Sequence, residues 1–108
     1  RGIESSEADI QATICGWLDL AKIPYTISNA DRVWDRKGRV RVGKVRPGWP
    51  DITACLPDGK LWAIEVKSRR GRMRPAQIEV LDWLAKSQAV VTIARSLEDV
   101  TDVFSARK

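Results

Sequence analysis

Two acids and a lysine interrupt the strand-like run WPDITACLPDGKLWAIEVK at residues 49–67: Asp51, Glu65 and Lys67. What the chain lacks narrows their chemistry. None of its 108 residues is histidine, which excludes imidazole general bases, Ser-His-Asp triads and His metal sites. Catalysis here must run on carboxylates, lysine, hydroxyls or a hard metal ion.

Whether the two carboxylates meet depends on the turn at Pro57-Asp58-Gly59. A two-residue turn would pair residue 57 with 60 and send Asp51 and Glu65 to opposite sides of a sheet. A three-residue loop, in which a type I turn is followed by a left-handed glycine, pairs 56 with 60 and sets Asp51 opposite Glu65. Pro57 suits the second position of a type I turn and Gly59 the left-handed one, so the residue types favour this register. Ile52, Ala54 and Leu56 then share a core face with Trp62, Ile64 and Val66, while Asp51, Glu65 and Lys67 share the other. Facing carboxylates repel each other. A hard divalent cation removes the conflict, because magnesium prefers oxygen ligands and keeps several waters, so two carboxylates and a backbone carbonyl suffice. Lys67 would then orient a water on the ion or offset charge building on a phosphate. The competing reading makes Glu65 and Lys67 a surface ion pair and Asp51 a turn cap.

The elements that must position these residues can be read along the chain. Ile10, Ile14, Trp17, Leu18 and Ala21 recur at helical steps and predict a helix over about residues 6–22, with Ser5 or Ser6 as N-cap and Pro24 beyond its end. YTIS at 25–28 predicts a short strand. Residues 29–50 form a long basic excursion, in which Val40 and Val42 can support a short hairpin. After the hairpin at 51–67 and the basic loop SRRGRMR, Pro75 opens a helix whose Ile78, Leu81, Trp83, Leu84 and Ala85 supply an apolar face. AVVTIA at 89–94 predicts a strand, and SLEDVTDVF a final helix capped by Ser96. The predicted class is α/β, a mixed sheet flanked by helices in the order α-β-β-β-α-β-α, as one domain over 1–108.

Charge is distributed unevenly. Residues 32–74 hold 13 of the 19 Lys and Arg but 4 of the 14 Asp and Glu, a formal +9 against −4 for the rest. Such asymmetry is a candidate nucleic-acid footprint, with a solvated basic loop as the alternative. Cys15 and Cys55 sit in apolar contexts without CxxC spacing and read as reduced core residues. No stretch is apolar enough for a membrane span and RGIESSEADI lacks a signal-peptide core, so the expectation is a soluble protein of the cytoplasm. Core packing is expected for most tryptophans, with Trp34 the best candidate for exposure.

Taken together, Pro50-Asp51 followed by Glu65-Val66-Lys67 resembles the PD-(D/E)XK nuclease superfamily. SEADIQATICGWL, RVGKVRPGWPDITACLPDGKLWAIEVKS, RPAQIEVLDWL and VVTIARSLEDV, in that order, resemble the virus-type replication-repair nuclease (VRR-NUC) domain over nearly the whole chain. The resemblance implies a restriction-endonuclease-like core. It also implies Asp51 and Glu65 as metal ligands with the Val66 carbonyl, Lys67 as the catalytic lysine, Gln77 as a site-lining residue and Glu7 as an additional acid and possible ligand. Glu7, at the start of the first helix four positions before Gln11, can be aimed at the site along one helix edge. Glu4 competes for that role, and a glutamate at a helix start is also favoured by the dipole. Arg74 stands where many relatives place Ser or Thr before Pro-x-Gln, which weakens a helix N-cap and adds a cation.

The expected function is hydrolysis of DNA phosphodiesters by a Mg²⁺- or Mn²⁺-dependent endonuclease. Arg39, Arg41, Lys44 and Arg46 before the hairpin and Arg69, Arg70, Arg72 and Arg74 after it would hold the phosphate backbone, favouring structure-selective over sequence-specific cutting. The resemblance implies a homodimer acting on branched DNA such as four-way junctions, in a bacterial or phage-infected cytoplasm. The alternatives are a non-catalytic nucleic-acid-binding module and a nuclease of the same fold with another DNA or RNA substrate.

Overall fold

Ser6 opens the first helix by accepting the Asp9 N–H on its hydroxyl at 3.1 Å. In the computed structural model, which describes residues 5–28, 32–34, 37–38, 40–42 and 45–107, this helix is α1, Glu7–Leu20. Ile10, Ile14 and Leu18, four residues apart, form its buried stripe. It ends in a Schellman motif. Ile23 N–H reaches Leu18 O at 3.0 Å, Lys22 N–H reaches Asp19 O at 3.1 Å, and Lys22 takes the left-handed φ of 59°.

The chain continues through β1 (Tyr25–Ile27), β2 (Arg32–Trp34), β3 (Val40–Val42), β4 (Ile52–Cys55) and β5 (Leu61–Val66). α2 (Pro75–Lys86) crosses over to β6 (Val90–Ala94), and α3 (Leu97–Ala106) follows. The main sheet has the order β1-β4-β5-β6, with β6 parallel to β5 and the other neighbours antiparallel. The expected order holds for this sheet and its helices. The basic excursion adds to it an antiparallel pair, β2 with β3, as a separate two-stranded sheet.

Helices cover both faces of the sheet. On one side Ile52, Ala54, Leu56, Trp62, Ile64 and Val66 pack with Ile14, Leu18 and Val100 of α1 and α3. Trp62 is fully buried there, donates its indole N–H to Thr92 Oγ1 at 2.9 Å and stacks on Phe104 at 6.2 Å. On the other side Ala63 packs under Val80, Leu81 and Leu84 of α2. Glu65 lies on the same face as Ala63 and meets this second helix through Gln77.

Two expectations are corrected here. Ile78, Trp83 and Ala85 are not on the apolar contact face of α2. All three are exposed, Ile78 at 54% and Trp83 at 73%, because only the stripe through Val80, Leu81 and Leu84 meets the sheet. Cys15 is buried as expected, but Cys55 is exposed, since alternation places it on the face opposite Ala54 and Leu56. Both cysteines are free thiols. Among the described residues no helix is long and apolar enough to cross a membrane.

Candidate active site

The β4–β5 hairpin has the register the turn residues imply. Ile52 pairs with Ile64 and Ala54 with Trp62, which brings Asp51 opposite Glu65. At the turn, Gly59 N–H reaches Leu56 O at 2.8 Å, Leu56 N–H reaches Lys60 O at 3.0 Å, and Gly59 has φ +88°. These are the marks of a type I turn closed by a left-handed glycine. Asp51 is then fixed by its own hydrogen bond, Oδ2 accepting the Val66 N–H at 2.8 Å.

Glu65 and Lys67 are 1% and 6% exposed. The Lys67 ammonium lies 3.5 Å from Glu65 Oε2, which also accepts the Gln77 amide N–H at 2.9 Å. The other oxygen, Oε1, is buried and has no hydrogen-bond partner. Burial, with the negative charge of Asp51 next in importance, pushes the Glu65 carboxyl up to about 7, against the opposing pull of Lys67. A buried acid with one orphaned oxygen beside a second acid is an arrangement that folding alone does not favour.

Gln77 reaches Glu65 because two local features aim it. Arg74, the N-cap of α2, makes no side-chain capping bond with the helix, as expected from its type. Gln77 compensates by accepting the Arg74 N–H on Oε1 at 2.9 Å, which turns its amide nitrogen toward Glu65. The second feature is the turn Arg46-Pro47-Gly48-Trp49, closed by Trp49 N–H to Arg46 O at 3.0 Å, with Gly48 at φ +85°. A Cβ on Gly48 would lie 2.3 Å from the Ala76 carbonyl oxygen, so this glycine lets the loop touch the first turn of α2.

Glu7 takes a neighbouring place. Its Oε2 accepts the Ser68 N–H at 3.4 Å and would lie 3.2 Å from a Cβ on Gly71. It therefore braces the loop that follows Lys67. Arg95 holds the same loop. Its Nη1 donates to the carbonyls of Ser68 at 2.6 Å, Gly71 at 2.9 Å and Arg69 at 3.1 Å, while Asp99 accepts its backbone N–H at 2.8 Å. Sequence reasoning missed Arg95. The only hint was its place after strand β6 in ARSLEDV, with an acid four residues on.

The loop held between Glu7 and Arg95 presents Arg69, Arg70, Arg72 and Arg74, all exposed. Arg46 is exposed at the facing turn, 3.6 Å from Glu79 of α2. The backbone of Arg41 lies in β3, and Arg39 and Lys44 fall outside the described residues.

The oxygens available to a cation here are few and hard. Among the described residues no three Asp, Glu or Cys side chains gather as a metal-holding group. Glu65 Oε1 lacks a partner, and one Asp51 oxygen is already engaged by the Val66 N–H. Two carboxylates in an all-oxygen donor set fit a hard divalent ion that keeps several waters better than a thiophilic one.

Solved structures with the same fold support the architecture around this site. One titled "VRR_NUC domain protein" matches with a TM-score of 0.68 at 21% identity, covering 98% of this chain and 88% of that one. Another, titled "VRR_NUC domain", matches with a TM-score of 0.64 at 19% identity, covering 94% and 97%. No curated protein matches the chain. The family model of the VRR-NUC domain matches residues 6–98, from the N-cap of α1 to the first turn of α3, and so spans the acids, the lysine and the loop braces alike. The chain belongs to the VRR-NUC domain family.

Proposed function

We propose that this nuclease-type domain is an endonuclease that hydrolyses DNA phosphodiester bonds with Mg²⁺ or Mn²⁺. One observation carries the reading: a buried glutamate with an unpartnered oxygen, set opposite Asp51 and beside Lys67. A divalent ion, when bound, supplies positive charge to the scissile phosphate and acidifies water. Asp51, Glu65 and the Val66 carbonyl are the proposed ligands, with Glu7, at the start of α1, bracing the adjoining loop through the Ser68 N–H. Asp51 is oriented by the Val66 N–H and Glu65 by Gln77, so neither carboxylate needs to reorganise to receive a cation. The Lys67 ammonium orients the attacking water and offsets charge that develops on the phosphate. Arg69, Arg70, Arg72 and Arg74 on one side and Arg46 on the other hold the flanking backbone through contacts that carry little base information.

Structure-selective cutting of branched DNA by a homodimer is the finer proposal. It rests on the exposed arginines beside the site, which suit phosphate contacts, and on the pairing common among small domains. The test is incubation with linear duplex, flap and four-way-junction DNA, with Mg²⁺, Mn²⁺ or chelator, beside Lys67→Ala. Metal-dependent cleavage that falls by about 10²- to 10³-fold in Lys67→Ala and is strongest on branched substrates is expected. Metal-independent cleavage, or equal cleavage by Lys67→Ala, overturns the reading.

A further inference from the structure

The candidate site continues along α2 into a cavity that the hydrolytic chemistry does not use. Gln77, Val80 and Leu84 recur at steps of three and four on one row of the helix. Gln77 touches Glu65, whereas Val80 and Leu84 line a cavity of about 390 Å³ with Trp49, Arg46, Glu79 and Trp83. Trp49 lies two residues before Asp51, and Leu84 lies roughly 10 Å along the axis from Gln77 at 1.5 Å per residue. That distance matches a few nucleotides at about 3.4 Å rise per base.

The lining has a specific character. Val80 and Leu84 are buried and apolar, Trp49 is half-buried against them, and Trp83 is 73% exposed. The cation at the rim, Arg46, pairs with Glu79 at 3.6 Å, with the side chains 65% and 77% exposed. So open an ion pair contributes little and is readily exchanged for another anion. Arg46 also belongs to the segment that carries the formal charge of +9.

We propose that this cavity receives an unpaired nucleobase of the DNA substrate, with Trp83 as the stacking face and Arg46 moving from Glu79 to the adjoining phosphate. The inference rests on DNA being the substrate of the site and adds how DNA with an unpaired strand, such as a flap, is told from duplex. Every base has a π-face, so an indole takes any unpaired base without reading its sequence, while a base held in a duplex cannot enter. The 390 Å³ cavity falls within the range of small-molecule sites.

The test uses the full chain carrying Lys67→Ala, so that binding is read without cleavage. The probes are a duplex with a short single-stranded flap bearing fluorescent 2-aminopurine and a fully paired duplex of equal length. Adding Trp83→Ala is expected to weaken flap binding about tenfold. Duplex affinity should change less than twofold, and the 2-aminopurine emission change should disappear. Trp83→Phe should restore most of the loss. Glu79→Gln should tighten flap binding, because it frees Arg46. Equal affinity for flap and duplex in the parent, or no change with Trp83→Ala, overturns the proposal. So does equal weakening on both probes with dimer turning to monomer in sedimentation, which would assign the cavity to a second copy of this chain. The nuclease reading fails separately, if the unmodified chain discriminates flap from duplex but cleaves neither in the presence of metal.

Discussion

The two faces of β5 are one residue apart and obey opposite rules. Trp62, Ile64 and Val66 point into the core between α1 and α3, where each is at most 1% exposed and apolar. Glu65 and Lys67 point the other way, buried but ionisable, with one oxygen unpartnered. The first face gains stability from transfer and close packing. The second gives some of it up, because a charge out of water is favourable only with excellent partners. A strand that carries both shows where the fold's stability is made and where it is spent.

The largest effects should separate the faces cleanly. Trp62→Ala removes the indole stacked on Phe104 and bonded to Thr92, and should destabilise by about 3 to 5 kcal/mol in denaturant titration. Lys67→Ala on the charged face should leave the fold in place and reduce cleavage by about 10²- to 10³-fold. If Lys67→Ala unfolds the chain while Trp62→Ala merely slows cleavage, the contrast between the faces is wrong.

A pH titration sharpens the same contrast. The Glu65 carboxyl is pushed up to about 7 in the fold, from its ordinary 4.5. Stability tied to the protonated acid is therefore fully present below about pH 4.5 and is lost as pH rises through about 7. The loss should be of order 3 kcal/mol at most, read by urea unfolding in chelator between pH 5 and 8. Glu65→Gln should flatten this slope. A wild type equally stable at both ends would mean that Glu65 is not a strained buried acid.

Much of this was legible in the sequence because it is local. Pro57 and Gly59 dictate a turn type, the turn dictates the register, and the register brings Asp51 to Glu65. Pro75 likewise marks the start of α2 and so places Gln77 at its first turn. What was not legible is non-local. The width of the buried stripe on α2 depends on how much sheet lies beneath it, which left Ile78 and Trp83 outside. Cys55 has apolar neighbours in sequence, yet alternation turns it away from them in space. Arg95 binds carbonyls 24 to 27 residues away, and backbone acceptors leave no trace in residue types.

Smaller effects test how the charged face is supported. Gly48→Ala places a Cβ 2.3 Å from Ala76 O at a φ that disfavours side chains, and should displace the first turn of α2 at about 1 to 3 kcal/mol. Cleavage should fall with it, since Gln77 leaves Glu65. Intact cleavage in Gly48→Ala would show that Gln77 is not needed there. Arg95→Ala should speed amide exchange over Ser68–Gly71 and weaken DNA binding by about tenfold, the scale of losing one set of charge-assisted bonds. Arg95→Lys, with one ammonium for three carbonyls, should recover only part.

The most direct test of the central claim is calorimetric titration of Mn²⁺ into the DNA-free protein at pH 8, wild type beside Glu65→Gln. If the charged face of β5 exists to hold a hard cation, the wild type binds saturably, and the variant, which keeps the shape but loses the charge, binds at least about tenfold more weakly. Equal binding by the two proteins, or none by the wild type, would contradict the claim.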